Sequence, residues 1–208
     1  LIPDAGSLLL FLAAALIIAV TPGPGIFYVA ARTLSGGRAE GLASILGTAL
    51  GGMVHVIAGA AGVSALVMAS AEAFTLLKLA GAAYLLWLGI STWRGAADLP
   101  EAGPAPQLGS RKALRDGVAV EALNPKTAAF FLAFLPQFVD PSGSVAAQFV
   151  LLGLISVCLN SLADLIVLYL AIALRTTARP RLLRRMRQGS GAVLCALGLS
   201  LAVAQRAR

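Results

Sequence analysis

The sequence predicts an all-α integral membrane protein of six transmembrane helices, built as two inverted three-helix repeats with helices 1 and 4 broken at proline motifs. Three observations predict it. Of 208 residues, 59% are hydrophobic and only 12% charged, with a mean hydropathy of +0.88. A soluble domain carries about 25% charged residues, so this chain cannot cover itself with polar surface. Six apolar runs, at roughly 20 residues per span, use about 120 residues and leave none for a soluble domain. Finally, lysine and arginine gather in alternate connections, the mark of a polytopic membrane chain.

Helix 1 is expected from about Ser7 to Val20, meets Thr21-Pro22-Gly23-Pro24-Gly25, and resumes from Ile26 to Leu34. Lacking an arginine-rich start and a small-residue cleavage site, it reads as a retained helix rather than a signal peptide. Helix 2, about Glu40 to Ala69, is rich in glycine, and Gly47 and Gly51 stand four apart. That spacing lets another backbone come close, from a helix of this chain ahead of a second subunit. Helix 3 runs from about Phe74 to Trp93, and Gly95 to Ser110, with Pro100, Pro104 and Pro106, reads as a linker. Helix 4, about Leu114 to Val139, carries Asn124-Pro125-Lys126 and ends at the turn Asp140-Pro141-Ser142-Gly143. Helix 5 is expected over Val145 to Leu174, and a basic loop leads to helix 6, Gly189 to Ala204. The whole is one transmembrane domain, 1–208, with repeat one at about 1–94, the linker at 95–111 and repeat two at about 112–208.

Orientation follows from the basic residues. Arg32 and Arg38; Arg94, Arg111, Lys112 and Arg115; and Arg175, Arg179, Arg181, Arg184, Arg185 and Arg187 are twelve of the 16, all in alternate connections. The positive-inside rule puts these in the cytoplasm and both termini outside, against the dissent of Arg206 and Arg208. The same placement explains the net charge of +7. It is compatible with anionic lipid headgroups and argues against nucleic acid. Cys158 and Cys195 sit in apolar runs, form no CxxC, and read as small hydrophobes.

Two breaks carry the functional reading. Proline removes a backbone donor and clashes with the preceding turn. At Asn124-Pro125-Lys126 it sits beside a charged group inside an apolar run, which is a functional-site hypothesis by default. The break at residues 21–25 lies at a matching depth in helix 1. Three helices per half force the second half to enter the membrane from the opposite side, and paired broken helices point to a transporter's binding site. The end of the first half-helix leaves carbonyls for an ammonium group, and the start of the second offers N–H groups to a carboxylate. A small zwitterion suits both.

These residues resemble the LysE/RhtB family of amino-acid exporters over nearly the whole chain. The resemblance rests on Thr-Pro-Gly-Pro at 21–24, on the run from Leu77 to Gly89 (LKLAGAAYLLWLG), on Leu123-Asn124-Pro125-Lys126 and on Phe134-Leu135-Pro136-Gln137-Phe138. It implies secondary export of amino acids or close derivatives across a prokaryotic inner membrane, driven by the proton gradient. There are departures: family members often have an acidic residue after a glycine of helix 2, where Gly51 is followed by Gly52, and Glu121 replaces a common asparagine.

The expected substrate-binding residues are Thr21, Pro22, Gly23, Pro24, Asn124, Pro125 and Lys126, and the expected proton-coupling residues are Asp164, Glu121 and His55. Each has a plainer alternative. Lys126 either receives a carboxylate or snorkels or pairs with Glu121 to hold the break. Asn124 contacts substrate or satisfies backbone freed by Pro125. The prolines shape the backbone whether or not substrate touches them. Asp164, one turn after Asn160 on the same face, carries the proton or neutralises Lys126 or Lys78. Burial penalises the charged form of an acid, which suits proton carriage near neutral pH. His55 is a hydrogen-bonded helix residue ahead of a relay. Lys78 snorkels, and Tyr84, Trp87 and Trp93 form packing and an interfacial belt rather than a cation–π cage. No HExxH, GxSxG, paired-cysteine or nucleotide motif supports an enzyme, and none calls for a cofactor. A heavy-metal cation exporter of related architecture is the alternative, with one histidine as poor metal ligation; a channel differs only in kinetics. The expected partners are an amino acid, protons and membrane lipid, with a homo-oligomer open.

Overall fold

The computed structural model describes residues 4–69, 71–95, 107–173 and 180–203. Most of the expected linker, together with Arg175, Arg179, Arg206 and Arg208, lies outside them. The described residues form seven α-helices: α1 (Ala5–Val20), α2 (Pro24–Ala69), α3 (Ala71–Arg94), α4 (Ser110–Ala122), α5 (Pro125–Ala129), α6 (Val145–Ala173) and α7 (Pro180–Val203). A π-helical turn, Phe130–Phe134, and a 3₁₀ turn, Leu135–Phe138, follow α5. Six helices were expected. The difference has a physical cause: each proline break divides one expected span into two helices, while Gly37 joins two expected spans into one run.

That run is not straight. Gly37 has φ 69 and ψ −161, in the positive-φ region that favours glycine. Arg32 pairs with Glu40 across it, and Val29, Ile45 and Leu168 share a small core. Sixteen residues of straight helix would separate Val29 from Ile45 by about 24 Å. The chain therefore folds back at Gly37, and α2 consists of two limbs, before and after it.

By length and composition, Pro24–Gly62 and Val145–Ala173 are apolar enough to cross a membrane. Ser110–Ala122 with Pro125–Phe138, bent by 41°, makes a third if counted as one span. Several boundaries differ from expectation. Asp4 caps α1, accepting from the Gly6 and Ser7 amides, so the helix starts at Ala5. Helix α7 starts at Pro180, a residue suited to a first helical turn. Arg181 to Arg187 are therefore helical rather than a loop. Arg32 is likewise no loop residue but a buried one.

Helix α2 packs on α4 and α6, while α3 packs on α7. The glycines explain the first contact. A Cβ on Gly47 would strike the Leu114 carbonyl, and one on Gly51 would lie 2.6 Å from the Val118 carbonyl and 2.8 Å from Glu121 Cβ. On the facing side, a Cβ on Gly117 would lie 2.9 Å from the Ser44 carbonyl. The close approach is within the chain, between the second limb of α2 and α4. The apolar core runs through Phe11, Phe130, Phe131, Phe149, Leu85 and Leu152, all fully buried.

A polar clamp ties the fold-back to α4. Glu40 Oε1 accepts from the Leu108 and Gly109 amides at 2.8 and 2.7 Å, beside the start of α4, and Oε2 faces Arg32 Nη1 at 3.5 Å. Tyr28 adds a hydroxyl bond to the Ala113 carbonyl at 2.8 Å. Glu40→Gln keeps an acceptor but removes the charge facing Arg32 and the helix start. It is expected to lower stability by about 1–2 kcal/mol, read as a lower thermal unfolding midpoint in detergent.

Candidate functional site

Both breaks are built alike. Helix α1 ends at Val20, and Thr21 closes it, donating its amide to Ile17 and Ile18 carbonyls and its hydroxyl to Ile17 at 2.6 Å. Pro24 then opens α2. Helix α4 ends at Ala122, Asn124 caps the next helix by accepting from the Lys126 amide at 3.1 Å, and Pro125 opens α5. In each case a proline takes a first-turn position that needs no donor.

Lys126 joins the two. Its side chain leaves α5, passes Gly23, and places Nζ 3.0 Å from the Ile18 carbonyl and 2.9 Å from the Thr21 carbonyl. A Cβ at Gly23 would lie 3.3 Å from Lys126 Cδ and Cε, so glycine makes room for the stem. These carbonyls belong to the last turn of α1, where acceptors lack their full set of intrahelical partners, and an ammonium group there also meets the negative end of the helix dipole. The cation seat expected at the first break is thus filled by the protein's own lysine. No carboxylate lies within ion-pair distance of Nζ among the described residues, so Lys126 does not pair with Glu121 or Asp164 directly.

Glu121 organises the second break. Its carboxylate accepts from Asn124 Nδ2 at 2.9 Å and from Thr127 Oγ1 at 2.6 Å. Its Oε2 lies 2.6 Å from where a Gly25 Cβ would stand, beside the first turn of α2. His55 donates from Nε2 to the Glu121 main-chain carbonyl at 2.9 Å, and its ring lies tilted against Phe131 with centroids 5.8 Å apart. Asp164 comes from α6, buried, and accepts from Thr48 Oγ1 at 2.9 Å.

Glu121, Asn124, Lys126, Asp164, Thr48 and Thr127 line one polar cavity of about 20 Å³, closed by Gly25, Asn160, Ser161 and apolar neighbours. That is room for about one water. A second cavity of about 470 Å³ also borders Lys126, lined by Pro22, Gly23, Pro24, Ser91, Thr92 and Pro125 among others. Lys126 is the one residue common to both linings.

All the sequence-derived site residues line one or other cavity except His55, which bonds the Glu121 main chain, and Thr21, which contributes its carbonyl to Lys126. Lys78 does not line either cavity. Tyr84 and Trp87 stack at 5.6 Å and, with Trp93, face outward from α3. Sequence reasoning missed Thr48 and Thr127, because an isolated threonine in an apolar helix carries no signal until its acceptor is known. Among the described residues no three His, Cys, Asp or Glu side chains form a group able to hold a metal ion.

The comparison that decides the family is a profile match: residues 16–205 fit the family described as "LysE type translocator". This chain belongs to the LysE/RhtB family. It is similar over 95% of its length to a membrane protein of Vibrio cholerae, at 35% identity and 97% of that relative. It is 30% identical to the homoserine/homoserine lactone efflux protein of Salmonella typhimurium, covering 95% of this chain and 96% of that one. The threonine efflux protein of Escherichia coli is 29% identical over 95% of this chain and 100% of its own. No solved structure matches. As a LysE-family member the chain is a membrane protein, and its named relatives are amino-acid efflux proteins.

Proposed function

We propose that this protein exports amino acids or close derivatives across the inner membrane in exchange for protons, by alternating access around the two breaks. The observation that carries the reading is the junction at Lys126. One buried ammonium group from the second break holds the carbonyl end of α1, and its side chain borders both a polar cavity and a larger one. The efflux names of the relatives support the substrate class. The shared plan of the breaks, a helix end followed by proline at the next start, supports inverted repeats with the binding site at their interface. Alternate basic connections support a cytoplasmic side at Gly37, Arg94 and Arg115, with both termini outside.

In this reading, moving access from one cavity to the other requires Lys126 to leave the Ile18 and Thr21 carbonyls. Asp164 couples the cycle to protons, because a carboxylate that holds a proton no longer attracts a cargo ammonium. Glu121, committed to Asn124 and Thr127, is better placed to hold the break.

Counterflow of labelled threonine and homoserine in proteoliposomes, with and without a pH gradient, tests this. Accumulation is expected only with protein present and is expected to rise with the gradient. Asp164→Asn, a neutral stand-in for the protonated acid, is expected to lose the gradient's effect on accumulation and to slow exchange. Undiminished gradient-driven accumulation in that variant would move coupling to Glu121.

A further inference from the structure

The polar cavity holds about one water, too little for any amino acid. An element around it must therefore move before cargo reaches Asp164. The second limb of α2 and α4 are locked backbone to backbone at Gly47, Gly51 and Gly117. Helix α6 presses on the same limb, where a Cβ on Gly52 would lie 3.0 Å from Val157. The first limb of α2, Pro24 to Gly36, is held differently.

Its buried face is Gly25, Ile26, Val29, Arg32 and Thr33, one stripe at helical spacing. Gly25 and Ile26 line the polar cavity, and Val29 packs with Ile45 and Leu168. Two polar contacts latch the limb down. Tyr28 donates its hydroxyl to the Ala113 carbonyl at 2.8 Å, and Arg32 faces Glu40 at 3.5 Å with its guanidinium carbon 5.9 Å from the Tyr28 ring centroid. On the opposite face Pro24 and Phe27 border the cavity of about 470 Å³, so the limb has room behind it. Both of its ends can turn. Gly37 stands at φ 69, and Pro22-Gly23 interrupts the helix at the other end.

We propose that the first limb of α2 is the gate between the two cavities. It turns about Gly37 into the larger cavity, breaks the Tyr28 and Arg32 contacts, and joins the two spaces into one that admits an amino acid. Tyr28, Arg32 and Glu40 are its latch. This deepens the export reading and rests on it for the gate's role in transport, though not for the motion itself.

The test reads access to the polar cavity directly, on the full chain with Cys158 and Cys195 replaced by alanine. Ala49→Cys places a thiol in the cavity lining, and its rate of modification by methyl methanethiosulfonate is followed in detergent. Ala133→Cys, in the apolar core, controls for general loosening. Ala49→Cys is expected to react slowly with the latch intact. Tyr28→Phe, which loses one hydrogen bond, is expected to speed it by about threefold, and Arg32→Met, which loses a charged contact, by about tenfold. Ala133→Cys is expected to stay slow in both. Thr92→Trp, which occupies the larger cavity, is expected to return the fast variants to the slow rate. An unchanged Ala49→Cys rate in both latch variants, equal acceleration at Ala133→Cys, or acceleration that survives Thr92→Trp would each overturn the gate. Faster labelling in a chain that shows no counterflow of threonine or homoserine would uphold the gate and overturn export.

Discussion

Lys126→Met is expected to abolish transport and to lower stability by about 3–5 kcal/mol, the range for removing one partner of a buried charged network. Methionine keeps the apolar stem against Gly23 as far as Cε and lacks only the ammonium position, so most packing survives and the loss is chiefly electrostatic. The Ile18 and Thr21 carbonyls lose charge-assisted bonds of 3.0 and 2.9 Å. Glu121 and Asp164, both buried, lose the one cation among the described residues that line their cavity. Lys126→Arg is expected not to restore function, since a planar guanidinium needs width where Gly23 leaves room only for a methylene stem. The thermal unfolding midpoint in detergent and counterflow rates check both. Wild-type transport by the methionine variant would remove Lys126 from the site, and an unchanged midpoint would mean its two bonds contribute nothing net.

Gly47→Leu is expected to prevent normal assembly of the second α2 limb on α4, at about 3 kcal/mol or more, beyond ordinary overpacking. Even a Cβ at this position meets the Leu114 carbonyl and lies 3.0 Å from Gly117 Cα, and both are backbone atoms that cannot rotate away. The limb and α4 must then separate. That moves Gly51 away from Glu121 and opens the floor of the polar cavity, so transport is expected to fall with stability. Gly62→Ala is the control: among the described residues nothing lies within 4 Å of its Cβ, and alanine favours helix by about 1 kcal/mol over glycine. It is expected to be neutral or slightly stabilising. Equal expression and midpoints for the two variants would show that the glycine contact does not hold the helices together.

How far the sequence reached depended on whether a feature was local. The breaks were readable because proline alters the backbone wherever it sits, and Thr21 to Gly25 and Asn124 to Lys126 fall where helices end. Glycine spacing in helix 2 announced a close approach, and the apolar runs placed α6 to within a residue. The start of α7 was misjudged, since a basic segment that topology assigns to a loop is also a sound first helical turns' worth of residues after a proline. Fold-back at Gly37 was taken as an ordinary connection, and Arg32 as a loop charge.

By itself the sequence determined that the chain is helical and apolar, that two spans are interrupted by proline, and that a lysine and two acids sit among the hydrocarbon-like runs. Only the tertiary structure decided their partners. Lys126 and Ile18 are 108 residues apart, and Thr48 and Asp164 are 116 apart. No local pattern encodes such pairs, because periodicity and propensity describe which face a residue occupies and not which helix end arrives opposite it. Packing of α2 on α4 and α6 brings them together, and the lysine then meets main-chain carbonyls that every sequence possesses and none advertises.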